Sequence, residues 1–389
     1  MISSVLEDER ARLPRHEGAG ASGGTFESKP VLVFWETTRA CPLNCIHCRA
    51  SAISEPLPGE LTKEEGFRLV DEVVAFGKPY PTIVFTGGDP LKRIDLFELL
   101  RYAHTSGVGF AVSPAVSELL TEGSIKRLKD AGAVSISVSL DGASAGTHDL
   151  IRRMEGTYER TIWAIQKAIE LGLNVQVNTA VMKSNFLELP RICHLVRGLG
   201  VKVWEVFFLV KVGRGTEVED LGPRESENVC RFLYDASRYG ITVRTVEAPF
   251  IRRVARQRAN PDARPKGDEV YLAMASELLA LEGEPTAEST IRPRGTLDGD
   301  GIVFIAFDGT IHPGGLLPVP LGNIRTTSLV RAYRDDSLLR EIRARNLKGS
   351  CGLCEFRFVC GGSRARAYAH EGDPLASDPA CPLVSWQHS

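Results

Sequence analysis

Between residues 31 and about 245, short apolar β-branched runs alternate with longer stretches whose apolar positions recur at helical spacing. Residues 31–34, 83–85, 110–112, 134–138, 175–177 and 203–208 read as strands. Between them, "TKEEGFRLVDEVVAFG" carries Thr62 and Glu65 as a capping box and Gly77 as its stop. "YERTIWAIQKAIELG" ends in the same way at Gly172. Strands that alternate with helices build βα units around a parallel sheet. Six units are too few to close an eight-stranded barrel, so an open or partial barrel or a doubly wound sheet fits. A further strand-like run covers 241–246.

The alternation lapses over 250–300. "RRVARQRANPDARPK" is basic and broken by prolines, and the rest is loop-like except for a helix near 271–281. This stretch reads as a connector. A new unit opens with "GIVFIAFDGTIHP", two apolar runs around Asp308-Gly309, which predicts a hairpin. The helix-like "SLVRAYR" and "LLREIRARN" follow. The expected organisation is a flexible segment over 1–29, a barrel over 30–250, a connector over 251–300 and a small C-terminal domain over 301–389.

Composition narrows the function classes. The chain has 389 residues, 43% hydrophobic and 25% charged, with a formal net charge of −2, which gives no basis for bulk nucleic-acid binding. No apolar run approaches the roughly 20 residues of a membrane span. The first thirty residues carry no apolar core of a secretory signal, and a cytoplasmic location is expected. Nine cysteines in that compartment are not expected to be disulfides. Cys193 and Cys230 stand alone in helix-like segments and read as buried small apolar residues. The other seven form two groups.

Cys41, Cys45 and Cys48 directly follow the first strand, at the end where parallel barrels carry their chemistry. Three thiols are one short of a closed zinc site or a fully ligated iron–sulfur cube, and His47 is badly placed to be the fourth ligand. CxxxCxxC in this position resembles the signature of the radical S-adenosylmethionine (SAM) superfamily. The resemblance implies a partial (β/α)6 TIM-like barrel, a [4Fe-4S] cluster with one open iron, and SAM chelating that iron through its amino and carboxylate groups. It also implies reductive cleavage of SAM to a 5′-deoxyadenosyl radical that takes hydrogen from a substrate, and a reducing partner such as ferredoxin or flavodoxin.

Further segments match the family in order. "TGGDP" ends the second strand, and Gly87 and Gly88 would let the backbone approach SAM closely; Asp89 stands where Glu is commoner and is given no contact. "SVSLDG" ends the fourth strand, with Ser139 and Asp141 on the SAM-facing stretch. In "HDLIRR", Arg152 resembles the arginine that pairs with the SAM carboxylate, and Asn178, past the fifth strand, resembles a ribose contact.

The second group, "CGLCEFRFVCGGSRARAYAHEGDPLASDPAC", contains Cys351, Cys354, Cys360 and Cys381, enough to close a site. CxxC pairs are common zinc elbows. The arrangement is similar to SPASM and twitch domains, which implies one auxiliary [4Fe-4S] cluster on these four cysteines. Gly314 stands where a full SPASM domain has another cysteine. This segment resembles most the radical SAM enzymes of the heme d1 and alternative heme pathways, implying a carboxylate-bearing tetrapyrrole substrate. Arginine forks bind carboxylates, and Arg252, Arg253, Arg364 and Arg366, with Arg292 and Arg294 behind them, are the candidates. Glu247 is the candidate catalytic acid or base. The alternatives are a maturase of ribosomally made peptides, against which the short, glycine-rich first thirty residues count, and tailoring of a small carboxylated precursor. A non-enzymatic iron–sulfur electron carrier is a further class, separable by SAM cleavage.

Overall fold

The computed structural model describes residues 26–259 and 268–385. Most of the N-terminal segment and the prolines of "RRVARQRANPDARPK" lie outside the described residues. Seven strands follow one another in the sheet: β1 (Leu32–Glu36), β2 (Thr82–Thr86), β3 (Phe110–Val112), β4 (Ser135–Ser139), β5 (Asn174–Val181), β6 (Val203–Phe208) and β7 (Thr242–Val246). Each pairs in parallel with the next. The crossovers are helical: α1 (Lys63–Val74), α2 (Leu96–Thr105), α3 (Glu122–Asp130), α4 (Ala145–Arg152), α5 (Thr157–Glu170), α6 (Leu189–Gly198) and α7 (Pro223–Ala236). The capping box of α1 forms as expected, Thr62 accepting from the Glu65 N–H at 3.2 Å and Glu65 from the Thr62 N–H at 2.9 Å.

One face of each strand is apolar and the other is not. Val33, Trp35, Ile83, Phe85, Val177, Trp204 and Val206 are fully buried in one core beneath the helices. Each such side chain contributes roughly 1.5–3 kcal/mol. The opposite positions, Ser137, Ser139, Gln176, Asn178, Glu205 and Arg244, are polar. Closed barrels of this class fill their interior with layers of bulky apolar residues. A polar, half-buried interior is instead a hollow suited to a ligand.

The sheet extends past the six units at both edges, at one of them by the further run read at 241–246. β7 adds to one edge, and β9 (Gly301–Ile305) pairs in parallel with β1 at the other, Phe34 opposite Phe304. The hairpin also forms, β9 running antiparallel to β10 (Thr310–His312), with Gly309 at φ +83° in the turn. The sheet therefore continues across the boundary expected at 301, because the apolar first arm of the hairpin satisfies the free edge of β1. β8 (Leu297–Asp298) pairs with β9, and β11 (Gly322–Asn323) with β10.

The stretch expected as a connector carries α8 (Ile251–Arg258) and α9 (Glu269–Glu282), the latter packed on α6 and α7. The C-terminal unit adds α10 (Leu329–Asp335), α11 (Ser337–Ala344), α12 (Gly349–Leu353), α13 (Arg364–Glu371) and α14 (Pro382–Ser385). Among the described residues no helix is long and apolar enough to cross a membrane.

Candidate active site

The loop after β1 gathers Cys41, Cys45 and Cys48 in one small cluster with Leu43, Ala52 and Ala115. Each thiol has a donor aimed at it: the Leu43 N–H on Cys41 at 3.4 Å, the Ala52 N–H on Cys48 at 3.5 Å and Arg152 Nη1 on Cys45 at 3.5 Å. Burial pushes the Cys41 thiol up to about 12, so its thiolate needs a compensating charge, which a bound iron supplies.

The strand ends hold this loop by close backbone contact. Gly88 N–H donates to Thr38 O at 2.8 Å and Asp89 N–H to Ala40 O at 2.7 Å. A Cβ at Gly87 or Gly88 would stand 2.3 Å from the Thr38 or Ala40 oxygen, and Gly87 has φ +142°. The approach these glycines permit here is to the cysteine loop itself. Asp89 is buried and capped by the Leu91 N–H and the Ser117 hydroxyl, at 3.1 and 2.8 Å. Sequence reasoning missed the opposite clamp, Gly213 and Arg214, past β6. Arg214 donates from its backbone to Cys48 O at 3.0 Å, and from Nε and Nη1 to Cys45 O and Ala52 O, both at 2.9 Å. A Cβ at Gly213 would meet Arg49 O at 2.3 Å. The available signal was a Gly-Arg-Gly beginning five positions past the end of a strand.

Arg152 is turned toward Asp141, with a 2.5 Å ion pair. Burial works against the Asp141 carboxylate, yet Arg152, His47 and His148 hold it below the usual range. Burial, reinforced by Arg152, pulls His148 down to about 4, and its neutral Nδ1 accepts from the Asp141 N–H at 3.0 Å. Among the described residues, Arg152 Nε, His47 Nδ1 and Arg214 Nη2 are buried around the loop without a hydrogen-bond partner. The two guanidinium donors suit an anionic group. Ser139 and Asn178 are register partners across β4 and β5. Gln176 Nε2 bridges Asn178 Oδ1 at 2.8 Å and Glu205 Oε2 at 2.9 Å, so this polar row continues into the hollow.

Glu247 follows β7 with a left-handed backbone, φ +60°, uncommon for a residue with a side chain. It accepts from the Ser363 hydroxyl and shares a hydrogen bond with Asp298, whose Oδ2 is buried without a partner. Burial raises both carboxyls above the usual range, Asp298 the more strongly. β7 and β8 lie at opposite margins of the open barrel, so this contact bridges its seam. Also missed was a cluster at the mouth: Arg49 pairs with Glu36 at 2.9 Å and lies over the Phe304 ring at 4.6 Å.

Cys351, Cys354, Cys360 and Cys381 line a single cavity of about 260 Å³. The N–H groups of Asp378, Phe356 and Gly362 point at the sulfurs of Cys351, Cys354 and Cys360, each at 3.4 Å. Burial pushes Cys360 up to about 12 and Cys381 to about 11. Cys193 and Cys230 are fully buried in the apolar core. Among the described residues no three His, Cys, Asp or Glu side chains converge as a single metal ion needs. A cubane asks for one thiolate per iron, and the donor sets are three thiols after β1 and four around the C-terminal cavity.

The structure corrects the arginine candidates. Arg253 is buried against Glu227 and Gln257, Arg364 donates to Pro374 O at 2.9 Å and Ala376 O at 2.7 Å, and Arg366 pairs with Asp378 at 3.1 Å. Arg364 and Arg366 are held within the C-terminal unit and Arg253 between α7 and α8, so none of the three presents a free fork to a substrate. Arg252 donates to Thr296 O at 2.9 Å, and Arg292 and Arg294 are exposed.

Comparison with known proteins agrees with this geometry. Residues 35–196 match the radical SAM superfamily model. The chain is 36% identical over 354 residues to the AdoMet-dependent heme synthase of Methanosarcina barkeri, covering 90% of this chain and 96% of that protein. It is 29% identical to the pre-heme d1 synthase of Dinoroseobacter shibae, covering 92% and 87%. In fold it resembles Streptococcus suis SuiB bound to precursor peptide SuiA, with a TM-score of 0.67, 15% identity and coverage of 98% and 87%.

Proposed function

We propose, because the chain belongs to the radical SAM superfamily, that it removes side-chain carboxyl groups as CO₂ from an iron tetrapyrrole bearing propionates. One observation carries this reading: identity of 36% to a heme synthase holds across nearly the full length of both chains. Bound SAM and a four-iron cluster on Cys41, Cys45 and Cys48 supply the hydrogen-abstracting radical. The protein's own residues hold and orient. Gly87, Gly88, Gly213 and Arg214 fix the cysteine loop, and Arg152 neutralises the thiolate side and offers Nε to the SAM carboxylate. Ser139 and Asn178 face SAM from the strand ends. The polar hollow lined by Gln176 and Glu205 receives the substrate, and Arg49 at its mouth stands where a propionate enters. Glu247 and Asp298, both raised by burial, meet at the seam. Cys351, Cys354, Cys360 and Cys381 would hold a second four-iron cluster in their cavity.

The test is incubation of anaerobically reconstituted protein with SAM, dithionite and an iron porphyrin carrying propionates. The expected results are a shifted Soret band on binding, a porphyrin mass loss matching CO₂, and deuterium moving from labelled propionate into 5′-deoxyadenosine. Label arriving only from a short peptide or a carboxylated sugar would overturn the tetrapyrrole reading and leave the family assignment intact.

A further inference from the structure

We propose that the face carrying the four C-terminal cysteines is the docking surface for an acidic, ferredoxin-type one-electron carrier protein. The inference rests on the reading above that these cysteines hold an iron–sulfur cluster, and adds where electrons leave it. Three large apolar side chains surround the cysteine cavity in the open: Leu353 is 86% exposed, Phe358 57% and Leu383 41%. They stand within two positions of Cys354, Cys360 and Cys381 respectively. Apolar groups grouped this way mark an interaction site rather than ordinary surface.

Beside them lies a groove of about 880 Å³, between α7, α8 and the loop around Ser289. Among the described residues it is lined by four arginines, Arg238, Arg252, Arg256 and Arg258, against one acid, Glu288. Arg258 is paired with Asp235. Arg252 donates only to carbonyls, those of Thr296 at 2.9 Å and Val359 at 3.5 Å. The side chains of Arg238 and Arg256 have no hydrogen bond or ion pair among the described residues. Val359 lies in this groove between exposed Phe358 and Cys360, so groove and apolar patch form one surface.

An apolar centre with a charged rim is the anatomy of a protein interface. The excess of arginine calls for a negative partner and speeds its encounter. Nucleic acid is also anionic, yet the apolar centre at the thiol cavity fits a protein whose redox centre must come close. The proposed chemistry supplies the need. When a propionate loses a hydrogen atom from the carbon β to its carboxylate and then loses CO₂, the C–C bond to the carboxylate breaks and a C=C bond forms. One electron is left over. The cluster takes it, and the oxidised carrier leaves with it in reduced form.

Binding of an oxidised, acidic [2Fe-2S] ferredoxin to the reconstituted protein tests this without turnover. Affinity is expected to fall steeply with added salt, and the R238E/R256E pair to weaken binding about tenfold or more. L353S/F358S should weaken it several-fold. Both variants should keep wild-type circular dichroism and dithionite-driven cleavage of SAM, because none of the four residues touches the cysteine-41 loop. Absence of binding to the unaltered protein at low salt, or binding unchanged by R238E/R256E, overturns the proposal. So does binding lost instead on K183E/R153E, beside the other cysteine loop. If ferredoxin docks as expected but no carboxyl leaves the porphyrin, the surface stands and the substrate reading falls.

Discussion

The two cysteine sites use the same ligand in opposite ways. Cys41, Cys45 and Cys48 sit on a loop pinned from both sides by glycine contacts and by Arg214, with buried guanidinium nitrogens of Arg152 and Arg214 unpartnered beside it. Cys351, Cys354, Cys360 and Cys381 close a cavity of their own, where Arg364 is held by backbone carbonyls and Arg366 by Asp378, while Nε of Arg366 and of Arg253 are buried without a partner among the described residues. Unmatched donors therefore occur at both sites, and the difference lies in the thiols: three would leave one iron of a cube to an outside ligand, and four would leave none. The contrast separates a centre for chemistry from a centre for electrons or shape.

The largest effect that would break this contrast comes from the cysteines. Cys45→Ala is expected to abolish release of 5′-deoxyadenosine outright. Replacing Cys41, Cys45 and Cys48 together should halve an iron content of about eight per chain and leave a cluster blind to SAM. Stoichiometric zinc in the C-terminal cavity would dissolve the comparison. Gly88→Val comes next: its side chain has only the Ala40 backbone to enter, so loss of several kcal/mol and of the first cluster is expected by thermal melting and iron analysis. Arg152→Ala should weaken SAM binding by about 1.5–3 kcal/mol, seen in equilibrium titration, while both clusters remain.

The seam pair sharpens the comparison through pH. Burial raises the Glu247 and Asp298 carboxyls in the folded protein, so the fold binds more protons than the unfolded chain. Their contribution is full below the ordinary carboxyl range and is lost as pH climbs through the raised values. The melting temperature of Glu247→Gln should therefore fall less over that climb than that of the parent. The smallest effect is expected at Cys230→Ala, about 1 kcal/mol from the lost sulfur contacts, with iron content unchanged.

Much of the barrel was legible because its signals are local. Residues 110–112 and 203–208 were read with their observed bounds, since apolar runs between turn residues need no distant information. β5 was read too short, because the polar Asn178 and Thr179 interrupt the apolar run. The parallel docking of β9 on β1 was not legible. A hairpin arm carries the same pattern whichever edge it joins.

The candidate site divides in the same way. The spacing of Cys41, Cys45 and Cys48 and of the four C-terminal cysteines is written in the chain, because ligands to one cluster must lie within a short reach of backbone. Glycine after a strand is likewise a local demand, which made Gly87 and Gly88 visible. What a long side chain meets is not local. Arg253, Arg364 and Arg366 looked like free carboxylate forks, and only the packing of α8 and α13 showed them held by Glu227, backbone carbonyls and Asp378. Glu36 and Phe307, 271 positions apart, meet in a 3.3 Å hydrogen bond at the mouth. Sequence by itself determined the order of strands and helices and the sets of thiols, since these follow from residue type at fixed short spacing. The tertiary structure decided which charges stay free and which carboxyls are raised, because burial and pairing arise only when distant segments close on one another.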